Sequence, residues 1–172
     1  MSLENILVDE YRLAIVIDFG MCLRVPYAAA SGGITDVSAG TLRLLMKPMI
    51  PCGKPNYISP EILRSEKPFD GFGIDLWSIG VILFIMLTGL PPWEFAREDD
   101  PRYRMVTQGG LEQMLRSWGR PISPAAADLL QRMLMRDPRQ RLSLIEIRDH
   151  PWVLDEISGP AVEPAPREGW RL

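Results

Sequence analysis

A chain of 172 residues is long enough for one domain with a buried core, and its 47% apolar and 24% charged shares are those of an ordinary globular protein. A net charge of −3 with no basic stripe argues against nucleic-acid binding, and two cysteines, Cys22 and Cys52, make neither a disulfide framework nor a zinc cluster. The opening Met1-Ser2-Leu3-Glu4-Asn5 has neither the basic segment nor the long apolar run of a signal peptide, so the reduced cytoplasm is the expected compartment.

Two short apolar runs, Ile6-Leu7-Val8 and Leu13-Ala14-Ile15-Val16-Ile17, flank Asp9-Glu10-Tyr11-Arg12. They are rich in β-branched residues and too short for helices, so they predict a β-hairpin. Asp18-Phe19-Gly20 follows at once, an acid at a strand end before a permissive glycine, which suits either a turn or a carboxylate presented to a ligand. Met21 to Cys52 shows no sustained period. Hydroxyls at Ser31, Thr35, Ser38 and Thr41 are scattered through it, and Thr41–Met49 is expected to form a short helix. Ser59-Pro60-Glu61 then opens a helix, with Ser59 as cap and Pro60 in its first position. Phe69 to Gly73 is expected to be a loop.

From Leu76 to Leu87 only Ser78 and Gly80 interrupt ten large apolar residues. A helix apolar on every side belongs inside a protein or a bilayer. This run reaches roughly 22 Å from Asp75 to Gly89, short of the ~30 Å of a hydrocarbon core, so a buried central helix is predicted and no membrane span. Asp75 is its expected N-cap, and Gly89 with Pro91-Pro92 its stop. Beyond it, Tyr103–Val106 and Leu111–Leu115 predict two short helices. Ser123-Pro124 opens another, whose Leu129, Leu130, Met133 and Leu134 share one face. Ser143-Leu144-Ile145-Glu146 is a capping box opening the last helix, and His150-Pro151-Trp152 closes it, with His150 read as a packing or capping residue. A domain over residues 1–157 and a disordered tail over 158–172 are expected from the Pro-, Gly- and charge-containing end.

Asp18-Phe19-Gly20, Gly53 to Glu61, Asp75 to Gly89 and Asp137 to Ser143, in that order, resemble the C-terminal lobe of the eukaryotic protein kinases of serine/threonine type. The resemblance implies a mainly α, kinase C-lobe-like domain around one buried helix, with a small N-terminal β-hairpin. It implies ATP and Mg²⁺ as cofactors and a protein substrate. Asp18 matches the aspartate, and Asn5, 13 positions earlier, the asparagine, that hold Mg²⁺ against the ATP phosphates. Glu61 and Arg141 match a structural ion pair. Asp75 matches an aspartate that hydrogen-bonds the catalytic-loop backbone. Ser31, Thr35, Ser38 and Thr41 become candidate phosphorylation sites in a longer than usual loop, where added charge could recruit arginines.

The departures are as informative. The general-base aspartate would stand five positions before Asn5, upstream of Met1, so no catalytic acid–base residue is assigned. No Gly-rich phosphate loop occurs in these residues. Ser2 stands at the family's catalytic-loop lysine position, and Lys54 stands where a threonine is usual. The resemblance therefore predicts a kinase-domain piece that is inactive alone. Its central helix would need a missing N-lobe or a partner chain to cover it. A non-catalytic, pseudokinase-like scaffold is the alternative.

Overall fold

The computed structural model describes residues 1–23, 35–38, 41–47 and 49–158. β1 (Ile6–Val8) and β2 (Ala14–Val16) form the predicted antiparallel hairpin, with Ile6 opposite Val16 and Val8 opposite Ala14. Its turn is held by the Asp9 carboxylate, which accepts from the backbone N–H groups of Tyr11 at 2.9 Å and Leu13 at 2.7 Å. Arg12 takes a left-handed φ of 64° to close it.

β3 (Thr35–Ser38) and β4 (Thr41–Leu44) form a second antiparallel hairpin where a helix over Thr41–Met49 was expected. Thr41-Leu42-Arg43-Leu44 alternates with the period of two that a strand requires, and Asp36 pairs with Arg43 in the register. Met46 and Phe69 then exchange backbone hydrogen bonds of 2.7 and 3.0 Å, which ties this segment to the start of the helical body.

Among the described residues seven helices follow: α1 (Pro60–Arg64), α2 (Gly71–Thr88), α3 (Pro101–Thr107), α4 (Leu111–Ser117), α5 (Pro124–Met133), α6 (Leu144–Arg148) and α7 (Pro151–Ser158). The central helix α2 starts earlier than expected. Its N-cap is Asp70, whose carboxylate accepts from the Phe72 N–H at 3.0 Å; Asp75 lies within the helix. Both aspartates are competent caps, and Gly71 and Gly73 made the preceding residues look like a loop. Gly89, at a φ of 75°, ends the helix with its N–H on the Ile85 carbonyl, as predicted.

Trp77, Val81, Ile82 and Phe84 of α2 join a core with Trp93, Tyr103, Leu115, Leu130 and Leu134. The Trp77 and Trp93 rings stack at 5.3 Å, and Tyr103 meets Trp93 edge-on at 5.4 Å. Gly80 lets the end of α5 come close: a Cβ there would lie 3.0 Å from Leu134 Cδ2 and 3.2 Å from Met133 Cβ. α2 has the length and hydropathy of a membrane-crossing helix, yet one of its sides is interred in the protein's own core. Phe72, Met86 and Leu87 on α2 remain exposed, so the all-round apolarity of the sequence is only partly used.

Ser59 holds the N-cap position of α1 but its side chain makes no capping hydrogen bond, and Pro151-Trp152, expected to close the last helix, begins a further one, because proline suits a first helical turn. The other two serine caps follow the sequence. Ser123 Oγ accepts from the Ala126 N–H, and Ser143 with Glu146 forms the reciprocal capping box of α6. His150 is buried, its Nδ1 accepting from the Trp152 N–H and its Nε2 lying 2.9 Å from Asp128 Oδ2, which makes it a cap for α7. The predicted tail, save Ser158 at the end of α7, lies outside the described residues.

Candidate functional site

The hairpin brings the two expected metal ligands to one end of a ribbon. Asn5 ends a 3-10 turn over Leu3–Asn5, and its carbonyl accepts from the Ile17 N–H at 2.9 Å, one rung beyond the β1–β2 ladder. Asp18 therefore leaves the ladder beside the turn that carries Asn5. It takes a φ of 57°, a conformation that aspartate tolerates better than most side chains. Its Oδ1 accepts from the Gly20 N–H at 3.2 Å, where glycine leaves room: a Cβ there would stand 3.2 Å from the same oxygen. The carboxylate is otherwise exposed. An amide and a carboxylate are oxygen donors that fit Mg²⁺, a hard ion that keeps several waters. No group of three or more His, Cys, Asp or Glu that could hold a metal occurs among the described residues, so these two would form only part of a shell.

A second contact, absent from the sequence expectations, closes the same turn from a distant loop. Lys54 Nζ lies 2.5 Å from Glu4 Oε1. This hydrogen bond is the chief reason that the Glu4 carboxyl sits below its ordinary range. Lys54 precedes a 3-10 turn over Pro55–Tyr57, and the Tyr57 carbonyl accepts from Ser78 Oγ of α2 at 3.1 Å, so the loop is pinned to the core helix.

Glu61 and Arg141 meet as a two-pronged ion pair of 2.6 and 2.7 Å. The Arg141 side chain is only 2% exposed and that of Glu61 16%. Arg141 also donates to the carbonyls of Met135, Gly73 and Arg136, and its guanidinium lies 4.6 Å from the centre of the Trp77 ring. One residue thus joins α1, the start of α2 and the turn after α5. Such a pair is costly to break, because the surviving charge stays buried.

Asp75 Oδ1 lies 4.0 Å from the Met1 amino group, and among the described residues no hydrogen bond from Asp75 to the Met1–Asn5 backbone is formed. Desolvation raises its carboxyl above the ordinary range, partly offset by that ammonium. Among the candidate phosphorylation sites, Thr35 and Ser38 bound β3 and Thr41 begins β4, while Ser31 lies outside the described residues. A cleft of about 800 Å³ lined by Arg64, Lys67, Arg136 and Arg139 opens between α1 and the Met135–Gln140 segment, and neither Asn5 nor Asp18 contributes to it. Near it, burial pushes the Tyr103 hydroxyl up to about 12, so it stays protonated.

This arrangement is that of a protein kinase domain's helical part, and the chain belongs to the protein kinase family: residues 1–153 match the protein kinase domain. It is 43% identical over 108 residues to calcium-dependent protein kinase 11 of Arabidopsis thaliana, covering 63% of this chain and 21% of that protein. It is 41% identical over 103 residues to serine/threonine-protein kinase DCLK3 of Homo sapiens, covering 59% and 15%. It is 33% identical over 160 residues to maternal embryonic leucine zipper kinase of Danio rerio, covering 91% and 20%. The chain thus spans about a fifth of the length of the curated relatives it matches.

Sequence reasoning missed the Lys54–Glu4 contact and the Asp70 cap. The first joins residues fifty positions apart, which no local pattern reports. The second had a signal, Asp-Gly before an apolar run, that Asp75 outcompeted.

Proposed function

We propose that this chain is the C-terminal-lobe part of a serine/threonine protein kinase, whose reaction moves the terminal phosphoryl group of ATP to a protein hydroxyl. The observation that supports this is the Ile17-to-Asn5 rung at the hairpin end, from which Asp18 follows at the next position. Asn5 and Asp18 would hold Mg²⁺. The ion supplies positive charge against the phosphate oxygens, and catalysis of this kind is largely positioning and charge stabilisation. The Glu61–Arg141 node would hold the surrounding helices in the geometry that substrate protein meets.

Residues 1–172 contain no Gly-rich phosphate loop. Phosphoryl transfer rests on positioning and charge stabilisation, so these residues by themselves are expected not to turn over. A second reading, a non-catalytic scaffold, draws support from the exposed Leu7, Val8, Leu13 and Ile15, an apolar ribbon suited to being covered by a partner chain.

The test uses the longest natural translation product that contains these residues, with Mg²⁺, labelled ATP and peptides ending in Ser, Thr or Tyr. Label on serine and threonine, lost in Asp18→Asn, is the expected result. No transfer by that product would overturn the enzymatic reading and leave the scaffold. Sustained turnover by residues 1–172 alone would overturn the expectation of an inactive fragment.

A further inference from the structure

We infer that Lys54 supplies the phosphate-contacting cation of the Ser2–Asn5 turn, reaching it from the Gly53–Tyr57 loop in place of a lysine at position 2. The inference rests on the reading of Asn5 and Asp18 as the Mg²⁺ ligands and adds a residue to that site.

The charge balance of the turn comes first. Between Ser2 and Asn5 the only charged side chain is Glu4, and a lone carboxylate there would repel any polyphosphate held beside Asn5. Lys54 cancels it, with Nζ 2.5 Å from Glu4 Oε1. An ammonium has three donors, so a contact to Glu4 leaves capacity for a phosphate oxygen. The pair is also accessible, with side chains 55% and 57% exposed. Exposed pairs of this kind contribute little to stability, so folding alone does not account for a lysine here.

The second observation is where the cation comes from. Ser2 stands where the kinase resemblance implies a lysine, and Lys54 where it implies a threonine. A hydroxyl and an ammonium have changed places between two loops. The structure brings Lys54 to the carboxylate two positions from Ser2, since Glu4 Oε1 is the hydrogen-bond partner of its Nζ. The loop carrying Lys54 is fixed by the Tyr57 carbonyl on Ser78, and its backbone is held by the Tyr57 N–H on the Lys54 carbonyl at 3.1 Å. Only the flexible stem of the lysine has to move for its head to follow a ligand.

The probe is magnesium tripolyphosphate, titrated into residues 1–172 by calorimetry and followed by ³¹P NMR, with circular dichroism confirming that each variant is folded. Lys54→Thr is expected to weaken binding about tenfold, the size of one charge-assisted contact. The exchanged variant Ser2→Lys with Lys54→Thr is expected to restore it. A merely structural Lys54 would not be rescued from position 2, because that lysine cannot rebuild a link to the Gly53–Tyr57 loop. Binding that is lost in Asp18→Asn but unchanged in Lys54→Thr, or not restored by the exchange, overturns the assignment of Lys54 and leaves the metal site standing. Failure of the unaltered chain to bind the probe overturns both.

Discussion

Two apolar segments of this chain meet opposite fates. In α2, Trp77, Val81 and Phe84 are 0% exposed, whereas Val8 and Leu13 at the β1–β2 hairpin are 68% and 63% exposed. The helix has α5 against Gly80, the Trp93 and Tyr103 rings against Trp77, and Trp118 edge-on to Phe84 at 6.1 Å. The hairpin is a two-stranded ribbon in which Ile6 packs against the core while Leu7, Val8, Leu13 and Ile15 stay exposed, and such a ribbon is marginal without further layers. Hydrophobicity states a demand for burial; only neighbouring elements meet it.

The contrast can be broken most forcefully at Arg141. Replacing it with alanine leaves Glu61 half-buried without its partner and frees three carbonyls, and is expected to cost about 3–5 kcal/mol in urea melts. A loss below about 1 kcal/mol would mean that the helical body does not depend on this node. Gly80→Ala comes next. Its new methyl would crowd Leu134 and Met133, at an expected cost of about 1–3 kcal/mol, and no loss would show that the α2–α5 contact is slack. Ser143→Ala removes the capping box of α6 and should cost about 1 kcal/mol by thermal melting.

Acid should act on the same body through Asp100. Burial would raise its carboxyl, but hydrogen bonds from the Glu94, Arg102 and Tyr103 N–H groups hold it below the ordinary range. A lowered folded value favours the ionised native state, so this contribution is present above the unfolded value of about 3.9 and is lost as pH falls through the folded value. Stability measured from pH 6 to pH 2 should drop below about pH 4, and by less in Asp100→Asn. The smallest effect is expected on the ribbon. Leu13→Glu should change stability by less than about 0.5 kcal/mol and improve solubility. A loss of several kcal/mol would show that the hairpin is packed in solution and that the contrast is false.

Much of the fold was legible because its signals are local. The β1–β2 hairpin, the Gly89 stop, the Ser123 cap and the Ser143–Glu146 box each depend on residues a few positions apart. The β3–β4 hairpin was misread because its nine-residue window satisfies two periodicities, and pairing decides between them. The start of α2 was misplaced because Asp70 and Asp75 are chemically equal candidates, and only the helix geometry selects one.

The residue types that mark this chain as part of a kinase domain, Asn5, Asp18, Glu61 and Arg141, were determined by the sequence alone, since motif order and spacing are properties of the chain. Tertiary structure decided which charges meet. Glu61 reaches Arg141 across eighty positions, and Lys54 reaches Glu4 across fifty. Electrostatic and packing energies depend on distance in space, and separation along the chain does not report it.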